Sequence, residues 1–274
     1  MKRIVVGIDF SSCSLNALEH AVSIAGKAEA GLTMVWANHL DYSKEIFAQE
    51  PENIIDEVTG RFQQLINQYS TEVAQGIDFI IEKGKVYKVI CDVSKKINAF
   101  LIVVGTHGSS GFEEFWIGSN ANRIVSASKI PIITIRESVN SHKELKTIVM
   151  PLDRTKVTRE KVPFTALLAK YFNATIHIIG IFTTSSDDVR YRIKNYVSQT
   201  QVYLKENGVR FESSYIETQN LAESVIAYAK KIDANLISIM TEQETSAMNL
   251  WLGPYAAQMV NHSPIPVLSI HPNK

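Results

Sequence analysis

Two stretches carry residue types that could hold a charged ligand. The first, VVGTHGSSGFEEFWIGSNANRIV from Val103 to Val125, has Gly105, Gly108 and Gly111 within seven residues, then Gly118-Ser119-Asn120 ahead of a helix-like segment. Glycines after a strand let backbone N–H groups come close to an anion, and the free amides at a helix start form a second anion site. Two such turns, held apart by FEEFW, could grip a polyphosphate. The spacing matches neither GxGxxG nor GxxxxGK[ST], and no lysine follows to reach a terminal phosphate, so a plain turn is the competing reading. His107 sits inside this loop, where a lone histidine reads as solvated or packed on a ligand rather than as a general base. The second stretch, GIDFSSCS from Gly7, puts Asp9 at the end of an apolar run. Asp9, Ser11 or Ser12 could cap a helix there. Alternatively the Asp9 carboxylate faces a pocket and accepts from a base or ribose, or helps hold a cation.

Other chemistry is thin. His39, His177 and His262 lack metal-ligand spacing, and Cys13 and Cys91 form no CxxC pair. Two isolated cysteines read as reduced, buried thiols of a cytoplasmic protein. No catalytic residue and no metal site are expected.

The elements that must position these stretches follow from hydrophobic period. RIVVGI, LTMVWA, IDFIIEKG, FLIVVG and PIITIR are short runs rich in Val, Ile and Phe, the first and fourth nearly continuous, as in strands buried on both faces. Between them, SLNALEHAVSIAGKA places Leu15, Leu18, Val22 and Ala25 on one helical face. The segment from Asp41 to Val73 reads as a lid-like loop followed by an amphipathic helix with Ile55, Val58, Phe62, Leu65 and Ile66 turned inward. Alternating strands and helices predict a parallel sheet covered on both faces, with ligands beyond the carboxyl ends of the strands where strand order reverses.

The chain also repeats itself. KRIVVGIDF from Lys2 returns as KTIVMPLDR from Lys146, which sets Asp9 against Asp153 at an offset of 144. Later parts align at an offset of 135, so INAFLIVVG meets IDANLISIM and SKIPIITIR meets SPIPVLSIH. The second half accordingly predicts strands at TIVMPL, TIHIIGI, RFESSYI, LISIM and PVLSI. The polar stretch from Glu137 to Leu145 is the seam, which gives domains 1–139 and 140–274.

Composition fits two ordinary domains. The chain has 274 residues, 45% hydrophobic, with 28 basic residues balanced by 28 acidic ones. That balance gives no electrostatic footprint for nucleic acid or an anionic membrane. The apolar run at the amino terminus reaches Asp9 too soon for a signal-peptide core, and no run is long enough to span a bilayer.

The pattern Gly105-x-x-Gly108, nine residues, Gly118-Ser119 after a fourth strand resembles the nucleotide loop of the universal stress protein family. VVGIDFS is similar to that family's opening strand and aspartate loop, and SKIPIITIR to its closing strand. The resemblance covers nearly the whole chain. It implies two tandem Rossmann-like (HUP-type) α/β domains, each a five-stranded parallel sheet with helices on both faces. It implies ATP or a related adenine nucleotide, with Mg²⁺, as ligand, and a stress-response role. Carried over, Asp9 would lie near adenine and ribose, a backbone group of Ala37 would meet the base, and Gly105, Gly108, Gly118, Ser119 and Asn120, with His107, would surround the phosphates. Family members pair through the closing strand, so residues 130–136 would meet 265–271 in an intramolecular pseudo-dimer. A further homodimer of the whole chain is compatible with that arrangement.

The second half departs from the pattern. Gly105 becomes Met240, Gly108 becomes Gln243, and Ser119 becomes Pro254, while Glu242 and Glu244 stand where phosphate amides should be. Carboxylates repel a polyphosphate, and proline removes an N–H from the helix start. One nucleotide site is therefore expected, in the first half. Trp116 and Trp251 occupy equivalent positions and read as packing residues. Two other functions compete: a ligand-free family member acting through protein contacts, and an adenylating enzyme of related architecture. The enzyme would carry SGGxDS after the first strand or HIGH and KMSKS motifs, which this chain lacks. Nothing in it is specific for flavin.

Overall fold

The computed structural model describes residues 1–38, 54–106, 119–137, 139, 144–241 and 252–272. The first half runs β1 (Arg3–Gly7), α1 (Ser12–Ala28), β2 (Gly31–Asn38), α2 (Ile54–Tyr69), β3 (Ile77–Lys83), α3 (Val86–Lys96), β4 (Leu101–Gly105), α4 (Ser119–Ala127) and β5 (Ile132–Ile135). The second runs β6 (Thr147–Leu152), a 3₁₀ turn (Lys156–Arg159), α5 (Val162–Phe172), β7 (Thr175–Phe182), α6 (Asp187–Glu206), β8 (Arg210–Glu217), α7 (Leu221–Lys231), β9 (Leu236–Met240), α8 (Pro254–His262) and β10 (Val267–Ile270). Every strand expected from the apolar runs forms, within a residue or so at the ends.

Each half is a parallel sheet, and the two join into one ten-stranded sheet of order β3-β2-β1-β4-β5-β10-β9-β6-β7-β8. Within each half the order reverses between the first and fourth strands, which creates the crevice where α/β sheets bind ligands. Alternate residues of one strand feed opposite faces. Ile4 and Val6 pack with α1 and α2, while Val5 packs with α3 and α4. Both apolar layers continue across the second half, under α5 and α6 on one face and under α7 and α8 on the other.

The repeat extends to single backbone conformations. Helix α1 stops at Glu29 and α5 at Asn173, both left-handed with φ 50°, at the offset of 144. Asn98 and Asp233 do the same after α3 and α7, with φ 50° and 52°, at the offset of 135. Left-handed non-glycine residues are uncommon, so their recurrence in register marks one fold used twice.

The halves meet as the resemblance implies. Strands β5 and β10 pair antiparallel, with Ile133 opposite Leu268. Those two residues are equivalents at the offset of 135, so the pseudo-twofold axis passes through their pair. Arg136 and His271, also equivalents, each reach across it: Arg136 donates to the Asn261 carbonyl, and His271 Nε2 meets the Val125 carbonyl. A carbonyl only accepts, so Nε2 carries the proton.

Two expectations need correction. Ile55, in the first turn of α2, is 43% exposed, and along the whole helix only Val58 and Phe62 are buried. Cys91 is half-buried rather than buried, while Cys13 is buried, and both are free thiols. The loop expected over residues 41–53 lies outside the described residues. No helix among the described residues is long and apolar enough to cross a membrane.

Candidate functional site

The first-half site is built on three adjacent strand ends. Gly7 pairs with Val35 and Val6 with Val103, so Asp9, Ala37 and Thr106 emerge level with one another at the order reversal. Asp9 is exposed and organises the start of α1: its Oδ1 accepts from the Ser11 backbone N at 3.0 Å and from Ser11 Oγ at 2.5 Å. Ser11 in turn is the N-cap, with Oγ accepting from Ser14 N at 3.2 Å. The capping reading therefore holds, with Ser11 as cap and Asp9 as its support, and it leaves the carboxylate at the mouth of the crevice. Phe10 between them is left-handed, with φ 63°. Its ring lies 5.1 Å from Phe62 and beneath the Arg61 guanidinium at 5.3 Å, and this packing offsets the strain of that conformation.

Ala37 is nearly buried in β2, paired with Glu82 of β3. Helix α4 begins at Ser119, so Ser119 lies in its first turn rather than ahead of it, and Asn120 is exposed beside it. His107, Gly108, Gly111 and Gly118 lie outside the described residues, as do His39 and Trp116. Gly105 has a tertiary reason to be glycine. A Cβ there would lie 2.9 Å from Cys13 Sγ and 3.0 Å from the Cys13 carbonyl oxygen, so the first turn of α1 abuts this strand end. Gly105→Ala should cost about 1–3 kcal/mol in chemical denaturation. The loss should persist in a Cys13→Ala background, because the clash with the backbone oxygen remains.

The second half repeats the aspartate loop and fills the crevice. Asp153 Oδ1 accepts from Thr155 N at 2.8 Å and Thr155 Oγ1 at 2.6 Å, as Asp9 does from Ser11. Asp153 N donates to Thr158 Oγ1 as Asp9 N donates to Ser14 Oγ. The surrounding positions are larger at each step: Ala37 becomes Ile181, Gly105 becomes Met240, Asn120 becomes Tyr255 and Ala17 becomes Lys161. Those four side chains and Asp153 line one cavity of about 20 Å³, room for about one water. Pro254 takes the first position of α8, behind Gly253 as cap, so the helix start lacks one donor. Glu242, Glu244, Gln243 and Trp251 lie outside the described residues.

Comparison with known proteins agrees with this architecture. The family model described as the universal stress protein family matches twice, over residues 1–136 and 144–271. The chain belongs to the universal stress protein family. Similar curated proteins include a universal stress protein of Methanocaldococcus jannaschii, 24% identical over 148 residues covering 50% of this chain and 82% of the relative. Universal stress protein YxiE of Bacillus subtilis is 27% identical over 145 residues, covering 49% of this chain and 98% of its own. Each thus corresponds to about one half of this tandem protein. The crystal structure of a universal stress protein from Archaeoglobus fulgidus shares the fold over 98% of both chains, with a TM-score of 0.74 at 16% identity.

The residue that sequence reasoning missed in this universal stress protein is Lys161. It is 2% exposed, and its Nζ donates to the Thr158 carbonyl at 2.5 Å and to Thr158 Oγ1 at 3.2 Å. Burial pushes its pKa down to about 8, and the nearby Asp153 carboxylate opposes that shift. Around it runs a polar chain absent from the first half. Thr165 Oγ1 donates to the Lys161 carbonyl at 2.8 Å and lies 2.6 Å from Ser238 Oγ, where the first half has Ala21 and Val103. Among the described residues, no group of three or more His, Cys, Asp or Glu side chains could hold a metal ion.

Proposed function

We propose that the protein is a cytoplasmic stress-response factor that binds ATP or a related adenine nucleotide, with Mg²⁺, in its first half, and that its second half serves as structural partner. The observation that carries this reading is the contrast between the two crevices. Small residues, Ala37 and Gly105 at the first-half strand ends and Ala17 in α1, stand where Ile181, Met240 and Lys161 fill the second half. In this reading Asp9 lies by adenine and ribose, Ala37 offers its backbone to the base, and Gly105, His107, Gly108, Gly118, Ser119 and Asn120 surround the phosphates. The role is binding rather than turnover, since residues 103–125 contain no lysine to reach a terminal phosphate.

Isothermal titration with ATP and Mg²⁺ should give heat at one site per chain, and millimolar ATP should raise the melting temperature. Asn120→Tyr places the second-half residue at an exposed position, so the chain should fold normally. Affinity should fall by tenfold or more, about 1.4 kcal/mol. If the wild-type chain shows neither heat nor thermal shift, the nucleotide reading fails.

A further inference from the structure

The joint between the two halves holds a titratable ring. His20 of α1 is half-buried, and its Nε2 is sealed from water and forms no hydrogen bond. It lines a cavity of about 40 Å³ walled by Ile133 and Ile135 of the first half and by Leu145, Phe172, Leu236 and Pro266 of the second. Helices α1 and α5 pack together there. At the offset of 144 the counterpart of His20 is Phe164 in α5, so the fold accepts an apolar ring at this position. Neutral histidine is a similar flat ring, and the proton is what sets it apart.

Protonation sets a charge and a new N–H donor among those apolar walls, at a cost. Asn235, the amide in the cavity, has its oxygen engaged by the Lys146 and Thr147 backbone N–H groups, and Ser23 is exposed. Glu19, on the same helix, is the charged group that acts on the ring, and its carboxylate takes the Tyr69 hydroxyl. Beside Leu145, Glu144 and Lys146 pair with each other in solvent at 3.1 Å, and Tyr171, beside Phe172, takes Lys2 Nζ at 2.5 Å. Arg136, next to Ile135, reaches the other face of the sheet, to the Asn261 carbonyl. Among the described residues, the remaining walls bring no charge.

We propose that His20 makes this joint acid-sensitive: proton uptake at Nε2 parts α1 from α5 and β5 from β10, while each half keeps its own fold. The closed joint lowers the His20 pKa from 6.5 to about 4, through burial, against the opposing pull of Glu19. Opening returns the ring to water and to its ordinary value. Above pH 6.5 neither state takes the proton, and closure is unaffected. Between pH 6.5 and 4 only the open state takes it, so closure weakens as pH falls through that window. This inference is independent of nucleotide binding in the first half.

The test is amide hydrogen exchange of the full chain and of His20→Phe at about pH 7 and pH 5, with rates corrected for the intrinsic pH dependence of exchange. In the wild type, β5 and β10 should open about twentyfold more at the lower pH, the factor that pKa values of 6.5 and about 4 give. Strands β1 and β6, inside each half, should keep their protection. In His20→Phe that factor should be absent, and His20→Leu gives the same readout should the larger ring prevent folding. His271, which crosses the seam on the other face, is present in every chain compared. An equal acid response in wild type and variant overturns the proposal. So does an acid response spread equally over β1 and β6, which would mean that the whole chain unfolds rather than its joint.

Discussion

Replacing Lys161 by methionine is expected to stabilise the chain at pH 7 by about 1–2 kcal/mol, and the gain should reverse in alkaline solution. The cause is the buried amine. Its folded pKa is about 8 against an ordinary 10.5. Below pH 8 both folded and unfolded chains carry the proton, and the fold bears the full cost of the buried charge. Between pH 8 and 10.5 the folded chain releases that proton while the unfolded chain holds it, so wild-type stability rises with pH. The span of 2.5 units, at about 1.4 kcal/mol each, makes the swing about 3.5 kcal/mol.

Methionine has no charge to bury and fills a similar volume. It also has no N–H for the Thr158 carbonyl and hydroxyl, and leaving those acceptors without their donor costs about 1–2 kcal/mol at every pH. The variant is therefore ahead at neutral pH, where the charge penalty exceeds the lost hydrogen bonds, and behind above pH 10.5, where only the loss remains. Urea denaturation of both chains at several pH values checks this. Asp153 and Tyr255 also face the cavity and are present in both chains. A stability difference that does not vary with pH would show that Lys161 is not held in its buried, depressed state.

The repeat made most of the fold legible. Apolar runs fixed the strands, and two offsets placed the second half on the first so closely that even Glu29 and Asn173 adopt the same left-handed turn. Site residues were less legible, for reasons of tertiary contact. Gly105 looks like a phosphate-loop glycine in sequence, yet its lack of a Cβ also answers to Cys13, 92 residues earlier (105 − 13). Lys161 stands in KVTREKVPF, a stretch whose charges read as solvated surface. Only its alignment with Ala17, a buried helix position, could have revealed it. Ile55 satisfied the helical period but stands exposed in the first turn of α2.

Cutting the chain after residue 139 should turn the first half into a dimer. Strand β5 is the inner edge of its own sheet, and in the whole chain β10 covers it. Ile132, Ile133, Thr134 and Ile135 are each at most 3% exposed there. Without β10, four residues and their unpaired backbone groups face water, and an apolar edge strand pairs with what it meets. A second copy is the best partner, because the Ile133–Leu268 pair lies on the pseudo-twofold and Ile133 can meet Ile133 with little rearrangement. Sedimentation should therefore show a concentration-dependent dimer with a concentration-dependent melting temperature. Ile133→Asp would set two carboxylates together on the axis, so the truncated variant should remain monomeric and melt far lower. In the full chain the same substitution buries one uncompensated charge in the seam and should cost about 3–5 kcal/mol. A truncated first half that is monomeric and melts like the whole protein would mean that the β5–β10 pairing contributes nothing to stability, and that the second half has some other reason to be attached.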